Sequence, residues 1–362
     1  MTVRVNKSSF NIREKLSELG RKFGLKGSEL AAAETVQEAR DLVSAGRKNI
    51  LINGNFIVSQ RGDYTSATTF SSSTYYLDRW KIKGGTPTGT VQDLTRKVKL
   101  AATATNSSGQ MMVMQVIEDK TINLYGGKIV TLSALVKSNN SNCRVMYEFG
   151  GGGGWMSANI DTNHNTHSGN GSEERLYVTF KIPDNYASVN SSNELRVYVG
   201  FDSYDSAGGV QINNGDYFEA SEVQLEVGRN PTDFEHRPYG EELSLCQRYY
   251  QKMYFTTSDY PFGFCYTYQQ GSSACSIPLA APMRTSSPNI TFATLRIRGY
   301  NQDGTNGSQN ISNITGQTQE SHALLQADLS HSNVPSDAVG SASVLTNGVS
   351  SSASYLAVDA EL

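Results

Sequence analysis

Residues 127–140 (GKIVTLSALVKSNN) and 215–228 (GDYFEASEVQLEVG) decide the fold, because each is an apolar stretch enclosed by turn-forming residues. Valine, isoleucine and aromatic residues favour extended backbone, whereas Gly, Asn and Asp supply the turns between strands. Similar segments recur from residue 49 onward without any regular alternation of strands and helices. This pattern is typical of an antiparallel β-sandwich or barrel and argues against a parallel α/β sheet.

The composition of the 362-residue chain points the same way. Apolar residues make up 38 % and charged residues 18 %, both below the usual values for globular proteins. The 33 glycines and 19 tyrosines suit short strands joined by many turns. The length predicts two or three domains.

The charge of the sequence divides it into three parts. Residues 1–48 hold ten basic and six acidic residues, residues 49–298 are nearly balanced, and residues 299–362 hold six acids with neither Lys nor Arg. The net charge of −3 predicts no nucleic-acid partner and no attraction to anionic membranes. We expect a helical segment over 1–48, a β-sandwich over 49–242 and a smaller β-rich domain over 243–362.

The first part carries a helical pattern. Its apolar residues recur at spacings of four, three and four in two successive segments: Ile12, Leu16, Leu19 and Phe23, then Ala32, Val36, Ala39 and Val43. Two short amphipathic helices do not fold alone in water. We expect residues 1–48 to be an attachment or oligomerisation segment, and packing onto the domain that follows is the alternative.

The termini and cysteines indicate a protein made in a cytosol. The N-terminus lacks the apolar run of a secretory signal, and no run approaches the roughly 20 apolar residues of a membrane span. The four cysteines show no CxxC spacing, so neither a zinc site nor a disulfide framework is predicted. We expect reduced cysteines, with a Cys265–Cys275 bridge as the alternative.

Two blocks of the sequence resemble a known family. Residues 49–62 (NILINGNFIVSQRG), followed by YYLDRWKI, resemble the start of jelly-roll domains in bacteriophage tail-fibre and related virion fibre proteins. Residues 218–252 (FEASEVQLEVGRNPTDFEHRPYGEELSLCQRYYQK) resemble the end of the same domains. The leader MTVRVNKSSFNIREKLSEL is similar to the leaders of virion structural proteins of marine cyanophages.

The resemblance implies a non-enzymatic fibre protein on the surface of a virion, on its tail or capsid, that is assembled in the bacterial cytoplasm. It implies a homotrimer that contacts other virion proteins through residues 1–48 and presents a C-terminal tip, residues 253–362, to host polysaccharide. A structural decoration protein of the capsid or tail without a receptor is the alternative. A free bacterial carbohydrate-binding protein is a third possibility, which the missing secretion signal disfavours.

Aromatic residues near loops are the candidate ligand contacts, because sugars are bound by flat aromatic faces. Trp155 lies between a run of five glycines and a polar loop, and Tyr198 and Tyr204 lie at a strand end and in the turn after it. Trp80 is flanked by strand-like residues, so we assign it to the core.

The jelly-roll resemblance also implies a structural Ca²⁺ near the first and last strands. Asn53, Asn55, Asp216 and Glu222 stand at comparable places and offer the oxygen ligands that Ca²⁺ prefers. The motifs of hydrolases, zinc proteases and nucleotide-binding loops are missing from the sequence, and we predict no enzymatic activity. We interpret the charged block at residues 235–242 as an ion-paired linker and not as a catalytic acid–base pair.

Overall fold

The computed structural model shows a mainly antiparallel β protein, which confirms the predicted fold class. It describes residues 48–86, 88–149, 166–184, 194–202, 210–255, 261–269, 271–300, 306–319, 321–331, 342–347 and 354–361. Residues 1–47, which contain the predicted helices, lie outside these ranges. None of the helices within them is long and apolar enough to span a membrane.

The first half of the described chain is a sandwich of two antiparallel sheets. Strands are numbered in chain order. One sheet has the order β1 (Thr68–Thr69), β4 (Gly89–Asp93), β5 (Val98–Ala102), β12 (Tyr217–Val227), β7 (Ile129–Ser138) and β9 (Glu173–Lys181). The other has the order β2 (Tyr75–Leu77), β3 (Trp80–Thr86), β6 (Asn106–Ile117), β10 (Leu195–Phe201) and β8 (Cys143–Phe149), and β11 (Val210–Ile212) pairs with β6.

Alternating residues of both sheets fill the sandwich core. Met111, Val113 and Ile117 of β6 face inward and are buried together with Trp80. The indole nitrogen of Trp80 donates to the Asn53 carbonyl at 2.8 Å, so its polar atom is also paired. The predicted core position of Trp80 is therefore confirmed.

The second half of the described chain contains a three-stranded sheet and a closed barrel. The sheet has the order β13 (Tyr250–Phe255), β21 (Ser354–Asp359) and β16 (Asn289–Ala293). The barrel closes in the order β14 (Pro261–Gln269), β15 (Ser272–Pro278), β19 (His322–His331), β18 (Asn306–Gln319), β17 (Leu295–Tyr300) and β20 (Ala342–Asn347). The helical elements are α1 (Asp119–Ile122), a 3-10 turn (Asn123–Tyr125) and α2 (Tyr239–Gln247).

The charged block before α2 contains the ion pairs that the sequence predicted. Arg237 lies 3.4 Å from Glu242 and 3.5 Å from Glu235. Its guanidinium also donates to the Leu51 carbonyl at 2.9 Å, while Glu235 accepts from the Asn49 amide at 2.6 Å. The two blocks that resemble fibre domains are thus bonded to each other.

A buried charge cluster joins the sandwich to the end of the chain. Arg79, which precedes β3, forms an ion pair with Glu361, and both side chains are almost fully buried. The Arg79 guanidinium also donates to the Val116 carbonyl at 2.6 Å and lies 3.5 Å from the centre of the Tyr249 ring. Burial lowers the pKa of Arg79, but the Glu361 carboxylate acting together with Tyr249 and Tyr75 raises the pKa overall.

Arg61 and Asp78 complete this cluster, which we call the seam. Arg61 lies 2.8 Å from Asp359 and 3.3 Å from Glu361. Asp78 is fully buried and accepts hydrogen bonds from the Gln60 amide and side chain at 3.1 and 2.9 Å. Burial raises the pKa of Asp78 to about 7, although the Gln60 bonds and Arg61 act in the opposite direction.

Removing the charge of Glu361 should destabilise the protein strongly. Glu361→Gln leaves the buried Arg79 guanidinium without a carboxylate, and an uncompensated buried charge costs about 3–5 kcal/mol. Urea denaturation of the full chain measures this loss. Glu173→Gln is the matched control, because Glu173 pairs with Lys97 on the surface, where such pairs contribute about 0–1 kcal/mol. Equal losses of stability in the two variants would show that the Arg79–Glu361 ion pair does not stabilise the protein.

The raised pKa of Asp78 predicts a pH-dependent stability. Between its ordinary value of 3.8 and its folded value of about 7, the native state binds a proton that the unfolded chain lacks. Stability should therefore fall as pH rises through this range and level off above it. Asp78→Asn should flatten this slope in thermal unfolding curves, whereas Asp184→Asn, at an exposed acid, should keep it. If the stability of Asp78→Asn fell with pH as steeply as that of the wild type, Asp78 would not be the group responsible for the pH dependence.

Candidate functional site

Of the three predicted aromatic contacts, the structure describes only Tyr198, and it is not on the surface. Tyr198 is fully buried on the outer face of its sheet, in a cluster with Met112, Met114 and Met146. Its hydroxyl donates to Glu148 at 2.6 Å, and burial followed by this bond raises the pKa of Tyr198. Tyr198 is therefore not available to a ligand. Trp155 and Tyr204 lie outside the described residues.

The Asn53 side chain, predicted as a Ca²⁺ ligand, is hydrogen-bonded to the backbone of its own loop and of Asp78. Its amide nitrogen donates to the carbonyls of Val58 and Asp78, both at 2.9 Å, and its oxygen accepts from the Val58 amide. Asn53 has a φ of 58°, a left-handed conformation that asparagine tolerates well. Asn55 lies in the same loop and is buried.

The two acids of the predicted Ca²⁺ set are far apart. Asp216 and Glu222 are separated by six residues next to and along β12, or about 20 Å in an extended strand. Asp216 accepts from the Asn140 side chain at 2.6 Å, and Glu222 pairs with Arg175. The four residues do not form one site, and the described ranges hold no group of three or more His, Cys, Asp or Glu that would suit a metal.

Exposed aromatic rings stand on the outer face of the barrel. Along β14, Cys265 and Thr267 face the interior, so Phe264 and Tyr266 face outward with 78 % and 53 % of their surface exposed. Strand alternation dictates this, because successive side chains point to opposite faces of a sheet. Large rings left in water forgo the free energy of burial, which marks this face as a candidate binding surface.

Small side chains beside these rings form the floor of a groove. On the neighbouring strand β15, Ser276 lies opposite Phe264 and Ala274 lies opposite Tyr266. Neither side chain fills the space beside the rings. The resulting depression has a volume of about 750 Å³.

Polar side chains form the opposite wall of the groove. On β19, Gln326 lies opposite Ser276 and Asp328 lies opposite Ala274. On β18, Gln317 and Thr315 continue the same two rows. We call this depression the barrel groove; its outward-facing lining is Phe264, Tyr266, Ala274, Ser276, Thr315, Gln317, Gln326 and Asp328.

The polar wall has unused hydrogen-bonding capacity. Within the described part of the chain, the side chains of Gln317, Gln326 and Asp328 make no hydrogen bond or ion pair. Asp328 is the one charged residue among the described residues that line the groove. Two cations of the C-terminal half bond to other groups: Arg284 donates to the Ala360 carbonyl and Arg296 to the Asn310 side chain, both at 2.9 Å.

A disulfide lies beneath the groove and corrects the prediction of reduced cysteines. Cys265 and Cys275 are directly opposite each other on β14 and β15, both face the barrel interior, and they are bonded. The bond therefore ties the strand of the aromatic wall to the strand of the floor. Cys143 and Cys246 are buried free thiols, and burial raises both of their pKa values.

A hydrogen-bonded serine and histidine lie inside the barrel and not in the groove. Ser273 Oγ is 3.0 Å from His331 Nε2 and 2.9 Å from Thr267 Oγ1. All three side chains are buried, so a substrate in the groove would not reach the serine. The network satisfies polar groups of the barrel core.

The sequence predicts residues 253–362 as the contact region but does not single out the residues of this groove. The alternation of Phe264, Tyr266 and Tyr268 was the available signal, because a strand with one aromatic face must direct that face either into the core or into solvent.

Comparisons with known proteins yield only distant structural matches. No protein-family model and no curated protein matches the sequence. A candidate sugar-binding protein from Bacteroides thetaiotaomicron aligns over 50 % of this chain and 100 % of its own, with 14 % identity and a TM-score of 0.29. The N-terminal CBM22-1–CBM22-2 tandem domain of Paenibacillus barcinonensis Xyn10C covers 84 % of this chain and 97 % of its own, with 8 % identity and a TM-score of 0.25.

The binding domain of botulinum neurotoxin DC is a third match. It aligns over 86 % of this chain and 100 % of its own, with 8 % identity and a TM-score of 0.20. TM-scores this low carry no argument about this chain.

The disulfide should stabilise the chain measurably. The double substitution Cys265→Ala and Cys275→Ala removes a cross-link between residues ten positions apart, which should lower the free energy of unfolding by about 2–3 kcal/mol. Denaturation with and without dithiothreitol measures this effect. The reductant should lower the stability of the wild type but not that of the double variant. If dithiothreitol did not shift the unfolding transition of the wild type, this result would contradict the stabilisation expected from the disulfide.

Proposed function

We propose that this chain is a glycan-binding fibre protein and that the barrel groove binds a polysaccharide of the host cell surface. The observation that carries the proposal is the pairing of an exposed aromatic wall, Phe264 and Tyr266, with the unused polar groups of Gln317, Gln326 and Asp328. Aromatic faces pack against the apolar C–H face of a sugar ring. The glutamine amides can both donate hydrogen bonds to its hydroxyl groups and accept hydrogen bonds from them, and the carboxylate accepts hydrogen bonds from them.

The charges around the groove favour neutral glycans. Asp328 would repel sulfate, phosphate or uronate groups, and the described lining offers no cation to bind them. Residues 299–362 also lack Lys and Arg altogether. Hydrogen bonding to hydroxyl groups, and not ion pairing, should therefore select the ligand.

The sequence resemblance supports the proposed place of this chain on a virion. The two blocks at residues 49–62 and 218–252 favour a phage tail or capsid fibre assembled in the bacterial cytoplasm. The apolar stripes in residues 1–48 favour a homotrimer attached to other virion proteins through this segment. We assign the fibre no catalytic step.

Truncating the aromatic wall should weaken adsorption strongly. Phe264→Ala and Tyr266→Ala remove exposed rings, so the fold should persist while binding falls about tenfold or more for each. Binding of the labelled full chain to candidate host cells and to their purified polysaccharide measures the effect. Tyr239→Ala is the matched control, because Tyr239 is 57 % exposed in α2 and lies outside the groove.

The same experiment separates the alternatives. Wild-type binding in both groove variants would place the glycan site on another surface. A wild-type chain that binds no susceptible host would contradict the adsorption role. That result would favour a structural fibre or decoration protein of the tail or capsid.

A further inference from the structure

A second, smaller depression adjoins the barrel groove. Its volume is about 200 Å³, and we call it the side depression. It shares Gln317 and Gln326 with the barrel groove. Its remaining lining is Thr318, Gln319, His322 and Leu324.

The two shared glutamines lie between the barrel groove and the side depression, and we call this pair the Gln317–Gln326 ridge. Gln317 and Gln326 lie directly opposite each other on β18 and β19, and both are exposed. Leu324, Gln326 and Asp328 follow one another on the outward face of β19, so the two depressions lie along one strand. From Leu324 to Asp328 this face runs about 13 Å, which is longer than one sugar ring.

The side depression has the chemistry of a weaker sugar subsite. Leu324 is half-buried and presents an apolar side chain, while Gln319 and His322 are exposed polar groups at the rim. His322 Nδ1 is 2.8 Å from the Ser321 hydroxyl, which fixes its ring at the edge. Neither an acid nor a Lys or Arg occurs in the described lining of this depression.

We propose that the barrel groove and the side depression are two subsites of one site that binds a linear neutral oligosaccharide. One sugar stacks on Phe264 and Tyr266, the Gln317–Gln326 ridge hydrogen-bonds to the chain, and a further sugar covers Leu324. This inference rests on the proposed function and adds to it the recognition of an internal stretch of a polysaccharide. A site for a single terminal sugar would need only the barrel groove.

Affinity as a function of ligand length tests the two-subsite arrangement. The probes are cello-, manno- and chito-oligosaccharides of increasing length, starting from the monosaccharide, titrated calorimetrically into the full chain. The affinity for the series that binds should rise about tenfold or more with length and then level off once both subsites are filled. An oligogalacturonate series serves as the anionic comparison and should not bind.

Variants of the side depression test whether it supplies the gain in affinity with ligand length. Leu324→Ala should remove most of the length-dependent gain and leave the affinity for the shortest ligand unchanged. His322→Ala, at an exposed rim position, should reduce the gain without affecting the fold. Leu124→Ala is the matched control, because Leu124 is 77 % exposed and lies outside both depressions.

The outcomes distinguish this inference from the proposed function. If Phe264→Ala abolishes binding while Leu324→Ala and His322→Ala retain the full gain with length, the groove binds glycan but the second subsite is refuted. A wild type that binds the monosaccharide as tightly as longer chains refutes it as well. If no series binds the wild type and Phe264→Ala adsorbs to cells normally, both proposals fail.

Discussion

The buried ion pair between Arg79 and Glu361 is the constraint on which the rest of the structure depends. Arg79 stands at the turn into β3 of the sandwich, and Glu361 follows the last strand, β21. Neither charge can be left alone in the interior without a large cost, so the end of the chain must return to the sandwich. Because β21 is also the central strand of the three-stranded sheet, this return holds β13 and β16 in place. The barrel strands are inserted between β13 and β21 along the chain, and the ion pair therefore closes the whole C-terminal half.

Closure of the barrel explains why a groove exists where it does. A closed sheet has no edge, so each strand can differ from its neighbours only in the side chains that it presents inward and outward. The small side chains of Cys265, Thr267 and Cys275 point into the barrel interior, whereas the rings of Phe264 and Tyr266 on β14 point outward. A second copy of the chain could also cover these rings. Such a cover would enclose Gln317, Gln326 and Asp328 as well, and each polar group buried without a partner costs free energy. A polyhydroxylated ligand satisfies both walls.

The sequence predicts the sandwich well because the information is local. Period-two alternation and turn residues define strands, and the ion pairs around Arg237 follow from a dense charged block. The site depends on long-range placement. Phe264 and Gln317 line one groove only because β14, β15, β19 and β18 are consecutive in the barrel, and no local pattern encodes that order. Tyr198 shows the same limit, since alternation cannot reveal that the outer face of its sheet is covered. The disulfide depended on the register of one hairpin, which sequence spacing leaves open.

The open shape of the groove bears on how a fibre would use it. A shallow site with one aromatic wall buries little of a sugar, so each contact should be weak and short-lived. Adhesion to a surface does not require a strong single contact when several identical sites engage one polymer, because each bound site raises the effective concentration for the next. A homotrimer would carry three such grooves, and a repeating polysaccharide offers the same epitope many times. Recognition of an internal stretch, and not of a chain end, makes every repeat a usable contact. Weak sites that read along a neutral chain would thus combine firm attachment with freedom to move over the cell surface.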